Sequence, residues 1–188
     1  SVIVPIHSMK NGAEFLWRLV NSLTEQTFKD WELIITKDGG MAHNTNAGIK
    51  RARGEYIKIM YLDDYFILDE ALRNIVSEFE NYNAKWVICR TDDNHNPHWT
   101  NDIETGNNKL GSPSALTIKN ESPLLFDESM SWLLDCDYYK RMYERYGEPN
   151  ITSGVFVGIG KGDHQMTHIL TDEEKLAEHE YMKQKTHA

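Results

Sequence analysis

Apolar residues fall alternately into short continuous runs and into runs spaced three and four apart, which predicts strands and helices in alternation. Val2 to Ile6 reads as a first strand, and Leu16, Leu19, Val20 and Leu23 then recur at the i, i+3, i+4, i+7 spacing of a helix with one face on a sheet. Glu32 to Thr36 predicts a second strand, Thr45 to Ala52 a short helix, and Tyr56 to Leu62 a third strand. Leu72, Ile75, Val76 and Phe79 repeat the helical spacing, and Lys85 to Cys89 is a fourth strand. A polar stretch from Arg90 to Gly111 has neither period and reads as a long loop, of the kind that is functional or mobile. Beyond it, Ala115 to Ile118 and Val155 to Ile159 predict short strands and Met130 to Tyr146 a helix ending at Gly147. Thr171-Asp172-Glu173-Glu174 opens a last, charged helix with a capping-box pattern, and that helix reads as peripheral.

The alternation predicts an α/β domain with a mostly parallel central sheet flanked by helices. The third strand delivers two adjacent carboxylates, Asp63 and Asp64, to its carboxyl end, where open α/β sheets bind ligands. Two acids at such an edge suit a hard cation holding phosphates, although a solvated turn opening the next helix has the same residues.

Composition narrows the partners. The 188 residues suffice for one core without disulfide staples, and Cys89 and Cys136 match no zinc spacing, so a reducing compartment, the cytoplasm, is expected. A net charge of -9 without a block of Lys and Arg argues against nucleic acid as a partner. No apolar run has membrane-spanning length. The opening Ser1-Val2-Ile3-Val4 reads as the start of one domain of a larger protein.

SVIVPIHS, SLTEQTFKDWELIITKDGG and NTNAGIKRARGEYIKIMYLDD, in that order and spacing, resemble the nucleotide-binding half of family 2 glycosyltransferases with the GT-A fold. The resemblance is strong over about the first 75 residues. It continues more weakly through GSPSALTIKN and FDESMSWLLDCDYYKRM, which look like the acceptor half. It implies a single GT-A, Rossmann-like domain: 1–90 for the nucleotide sugar, 91–170 for the acceptor, 171–188 a C-terminal helix. The activity implied is metal-dependent, inverting transfer from a UDP-sugar, such as a UDP-hexose, to a hydroxyl of a glycan or glycoconjugate.

By the same resemblance Asp64 binds Mn²⁺ or Mg²⁺ directly and Asp63 faces either the ribose or, through a water, the metal, with His164 a third candidate ligand. Asp38 is placed to accept from a uracil ring walled by Pro5, Ile6 and His7. Asn46 lies near the nucleotide, and Ser112 under the sugar or near the acceptor. The base that takes the acceptor proton is Asp135 or, alternatively, Asp137, since residues two apart on a helix point in different directions. Trp99 and Trp132 are candidates to stack on a sugar or to pack in the core, and Asp92, Asp93, His95 and His98 read as a polar loop rather than a metal site.

Three departures from the family pattern stand at Lys37, Leu62 and Leu134, where acids are usual. They leave two rival readings: a catalytically weak domain that binds nucleotide sugar or scaffolds a larger protein, and a sugar nucleotidyltransferase, for which the glycine-rich basic loop is missing.

Overall fold

The computed structural model describes residues 1–93, 96–163 and 165–185. The strands are β1 (Val2–Pro5), β2 (Leu33–Thr36), β3 (Tyr56–Ile59), β4 (Tyr65–Phe66), β5 (Trp86–Thr91), β6 (Leu116–Lys119) and β7 (Asn150–Gly158). The helices are α1 (Gly12–Thr24), α2 (Met41–Arg51), α3 (Ala71–Tyr82), α4 (Leu134–Tyr146), α5 (Met166–Ile169) and α6 (Asp172–Gln184). All seven strands form one sheet in the order β2-β1-β3-β6-β5-β7-β4.

The sheet is mixed, which corrects the expectation of a mostly parallel one. β1 pairs in parallel with β2 and β3, and β5 with β7, whereas β6 runs antiparallel to both of its neighbours and β4 antiparallel to β7. The reason lies in the loop between β5 and β6. The chain leaves β5 at the edge where the parallel strands end, and enters β6 from that same edge. A strand begun where its neighbour ended must run the other way, because a parallel return needs a crossover to the opposite edge. The carboxyl ends of β1, β3, β5 and β7 and the amino end of β6 therefore share one rim.

Side-chain alternation divides the sheet's two faces. Ile3 lies against Gly48 of α2, where a Cβ on the glycine would come within 3.1 Å of it. Trp86, on the same face, meets Tyr139 of α4 with ring centroids 6.0 Å apart. On the opposite face Tyr56 stacks on Phe79 of α3 at 4.4 Å. Gln26, buried just after α1, binds the Leu72 N–H and the Leu68 carbonyl and so joins α1 to the start of α3. Of the apolar residues that set the helical spacing, Leu19, Leu23, Leu72, Ile75, Val76 and Phe79 are buried, whereas Leu16 and Val20 are half-buried.

Several elements differ from the sequence reading: α2 begins at Met41 rather than Thr45, β7 at Asn150 rather than Val155, and β4 and α5 have no counterpart in it. α4 begins at Leu134 rather than Met130, and the three residues before its first turn point their N–H groups at one side chain. Glu178 of α6 accepts from Ser131 (2.8 Å), Trp132 (2.9 Å) and Leu133 (2.8 Å). A carboxylate there meets both the orphan donors and the positive end of the helix dipole. α6 is therefore integral, not peripheral: Met182 is buried, Tyr181 donates to Asp127, and Lys185, just beyond α6, joins Asp127 (2.7 Å) and Asp137 (2.5 Å). Its start is capped as expected, by a complete Thr171–Glu174 capping box. Among the described residues no helix is long and apolar enough to cross a membrane.

Replacing Glu178 with Ala leaves three N–H groups without their acceptor. Urea unfolding should show a loss of about 1–2 kcal/mol, the range for a lost helix cap, and a melting temperature several degrees lower. An unchanged midpoint would mean that water replaces the carboxylate at no cost.

Candidate active site

The rim surrounds a cavity of about 330 Å³. Its walls come from His7 after β1, Tyr61, Asp63 and Asp64 after β3, Asn108 and Ser112 of the long loop, Trp132 to Cys136 at the start of α4, and Gly160 after β7.

The acid pair sits in a tight turn closed by the Asp64 N–H on the Tyr61 carbonyl at 3.0 Å. Asp64 has only 2% of its surface exposed, and its Oδ1 accepts from the Gly160 N–H at 2.7 Å. Burial first, and then the charge of Asp63, push its carboxyl well above the carboxylate range, to about 8. The Ser114 hydroxyl, the Gly160 N–H and the cation of Lys58 oppose that rise. Lys58 is itself buried in β3, donating to the carbonyl of Ser114 and, at 3.4 Å, to that of Leu116. Arg18 of α1 donates to the Asp63 carbonyl. Position 160 admits only glycine beside this turn, since a Cβ there would lie 2.4 Å from the Asp63 carbonyl oxygen and 2.6 Å from its carboxylate.

Asp135, half-buried on the facing wall, stands in the first turn of α4. Its Oδ1 accepts from the Cys136 N–H at 2.8 Å and its Oδ2 from the Asn108 side-chain amide at 2.8 Å. Burial raises its carboxyl, and these two donors hold it back. Asp137 is elsewhere: fully buried, it binds Arg141 at 2.6 Å and Lys185 at 2.5 Å, and does not line the cavity. The structure thus separates the two aspartates, one to the cavity and one to an ion-pair network under α6.

The other expected site residues divide similarly. His7 and Ser112 line the cavity. Pro5 is buried at the end of β1, and Ile6 uses its carbonyl to accept from Asn44 at 2.8 Å. Asp38 forms an exposed pair with Arg51 at 3.0 Å, and its N–H donates to Asn44 at 3.1 Å. Asn44, which drew no attention in the sequence, thereby joins the end of β1 to the turn after β2. Asn46 is buried and clamps residues 126–128, exchanging hydrogen bonds of 2.8–2.9 Å with the Phe126 backbone and donating to Glu128 at 2.9 Å. Trp132 lines the cavity, whereas Trp99 stacks on Tyr143 at 4.0 Å in a packing role. His164 and His95 lie outside the described residues. Asp92 and Asp93 serve the loop, accepting from the Ile159 N–H and the Thr91 hydroxyl. Both cysteines are buried free thiols.

Among the described residues no group of three His, Cys, Asp or Glu side chains is placed to hold a metal ion. Two adjacent carboxylates are nonetheless the donor set that a divalent cation shares with phosphate oxygens. No lysine or arginine lies among the described residues lining the cavity, and three aspartates do. The carboxylate donors of this wall fit a bound cation.

No family model matches the chain, and no curated protein matches it by sequence. Solved structures do resemble it. Staphylococcus aureus TarS in complex with UDP-GlcNAc superposes with a TM-score of 0.69 at 16% identity, over 95% of this chain and 63% of that one. The mannosyltransferase PcManGT of Pyrobaculum calidifontis, in complex with GDP-Man and Mn²⁺, superposes with a TM-score of 0.64 at 15% identity, over 87% and 57%. The fold is GT-A. The chain spans less than two thirds of the length of each of these GT-A proteins, and at such identities the likeness is one of fold.

The raised Asp64 carboxyl makes a pH prediction for the metal-free protein. Its folded pKa lies above the unfolded value, so the folded state binds the extra proton, and stability from this group is present below about pH 4 and lost as pH rises towards about 8. Wild type should therefore lose stability relative to Asp64→Asn across that window, by at most about 1.4 kcal/mol per pH unit. Parallel stability profiles for the two proteins, measured by chemical unfolding with a chelator present, would show the carboxylate to be solvated.

Proposed function

We propose that the protein is a metal-dependent, inverting glycosyltransferase of the family 2 type, moving a hexose from a UDP-sugar to a hydroxyl of a glycan or glycoconjugate. The observation that carries this reading is the pairing, across one cavity at the sheet rim, of the Asp63–Asp64 turn with Asp135. One wall suits a diphosphate held through a cation, and the other a base.

Asp64, with Asp63 beside it, would hold Mn²⁺ or Mg²⁺. When bound, the cation offsets the charge that builds on the departing diphosphate. The base of the nucleotide would lie over His7 and the end of β1, with Asp38 accepting from the uracil N3–H. Asp38 is free to do so because an exposed pair such as that with Arg51 contributes little and exchanges readily. Asp135 accepts the proton of the acceptor hydroxyl. The oxygen bonds to the anomeric carbon from the face opposite the diphosphate, the carbon–oxygen bond to UDP breaks, and the configuration inverts. Burial suits this role, since a carboxylate lifted from its usual range is a stronger base. TarS in complex with UDP-GlcNAc supports the UDP-sugar. The GDP-Man and Mn²⁺ complex of PcManGT supports the metal and makes GDP the competing nucleotide to test.

Titration calorimetry of UDP, GDP and dTDP, with Mn²⁺ and again with a chelator, tests the reading. UDP should bind selectively and only with the metal, and Asp64→Ala should abolish binding. Asp135→Asn should keep metal-dependent UDP binding while UDP release from UDP-GlcNAc or UDP-glucose falls by about 100-fold or more. Failure of every nucleotide to bind the folded protein would favour the scaffold reading.

A further inference from the structure

We infer that Asn108, carried by the loop between β5 and β6, positions Asp135 as the proton acceptor of the transfer. The inference rests on the glycosyltransferase reading and adds to it a residue that no motif marks.

The geometry of the amide is fully determined. Its Oδ1 accepts from the backbone N–H groups of Leu110 (2.8 Å) and Gly111 (3.2 Å), so its Nδ2 must face the other way. Nδ2 then donates one hydrogen to the Gly111 carbonyl (2.9 Å) and the other to Asp135 Oδ2 (2.8 Å). Both donors and both acceptor sites of the side chain are used, which removes the flip freedom that an asparagine amide otherwise has. The loop beneath it is tied down as well. The Tyr139 hydroxyl meets the carbonyls of Gly111 (3.2 Å) and Ser112 (3.0 Å), the Thr100 hydroxyl donates to the Asn107 carbonyl (2.8 Å), and Asn107 donates to the Asp102 carboxylate (3.0 Å).

This matters because the residue preceding Asp135 brings no polar group. Leu134 is apolar and 5% exposed, so within the first turn of α4 the carboxylate is met only by its own backbone and by Cys136, whose N–H lies on Oδ1 at 2.8 Å and whose thiol also bonds to it. All of these come from one turn of one helix. The Asn108 amide on Oδ2 comes from a different segment and ties the plane of the carboxylate to the loop. The titratable groups around Asp135 are Cys136 and Tyr139 on α4, Tyr61 after β3, and Asp63, Asp64 and His7 on the other cavity walls. No cation among the described lining residues competes with Asn108 for it.

The test is the titration of the Asp135 carboxyl, followed by ¹³C NMR and assigned by its disappearance in Asp135→Asn, alongside the pH profile of UDP release from UDP-GlcNAc and UDP-glucose with Mn²⁺. Asn108→Ala should raise the Asp135 midpoint by about one pH unit, the expected effect of losing a hydrogen bond to a charged group. The acid limb of the profile should move up with it, while UDP affinity holds. Tyr139→Phe loosens the same loop without touching the carboxylate and should leave the midpoint where it was. Should Asn108→Ala disturb the loop, Asn108→Asp keeps an acceptor for the Leu110 and Gly111 N–H groups. It puts a second carboxylate against Asp135, and the midpoint should rise further.

A midpoint unmoved in both Asn108 variants overturns the assignment while the transferase reading stands. Absence of UDP release from the wild type, with the midpoint still responding to Asn108, overturns the transferase reading and the assignment with it.

Discussion

Holding Asp64 out of water beside a second carboxylate is the constraint on which the rest of the site depends. A buried charge is unfavourable unless dipoles or opposite charges meet it, and a like charge next in sequence makes it worse. The groups that meet it come from three places: Gly160 at the end of β7, Ser114 in the turn before β6, and Lys58 within β3. Ser114 could not reach Asp64 if β6 entered the sheet from the opposite edge. The antiparallel insertion of β6 between β3 and β5 is therefore what brings Ser114 to the acid pair and puts carbonyls of the β6 segment on the Lys58 ammonium. β7 is long for a related reason. It pairs with β5 at its start and β4 at its end, and so arrives at the acid turn as a fixed strand rather than a loose loop.

The wall at the start of α4 uses the same physics with the sign reversed. There the exposed ends are backbone N–H groups at the start of α4, and Glu178 gathers three of them. Two helices set Trp132 in the cavity wall: His179 of α6 packs edge-on against its ring at 5.2 Å, and the indole N–H reaches Thr167 of α5. Asp137 completes the join through Lys185 and Arg141. Two aspartates two residues apart thus have opposite duties. Asp137 is neutralised by two cations and anchors α4, whereas Asp135 meets only neutral donors and keeps its charge available to the cavity.

Hydrophobic spacing reports which faces are buried, and for that reason nearly every strand and helix was legible, including the apolar run of β3 that ends at the acids. What spacing does not report is which edge a strand enters from, so the order and direction of β6 escaped it. β4 escaped it too, since two residues, Tyr65 and Phe66, are a strand only by virtue of β7. The charged face of α6 looked solvated because Glu178 and Lys185 are ordinary helix-surface residues until their partners, 46 and 48 positions away, are known. The same holds for the site. Asp63, Asp64 and Asp135 stood out by motif, while Asn44, Asn108 and Gly160 have no local pattern and gain their roles from contacts between distant segments. In Asn46 the motif was visible, but the structure gives it a clamp on residues 126–128.

The three departures from the family pattern have unequal weight. Leu62 is 3% exposed and packs beneath the acid turn, so its side chain belongs to the core. Lys37 is exposed outside the cavity. Leu134 alone removes a polar group from beside Asp135, and there Asn108 stands in contact with the carboxylate. A domain that only scaffolds would gain stability by replacing Asp64 and Asp135 with neutral residues, because each is held against a desolvation cost that no ion pair offsets directly. Two desolvated carboxylates lining one cavity are what the proposed transferase reading requires, and a pure scaffold has no use for them.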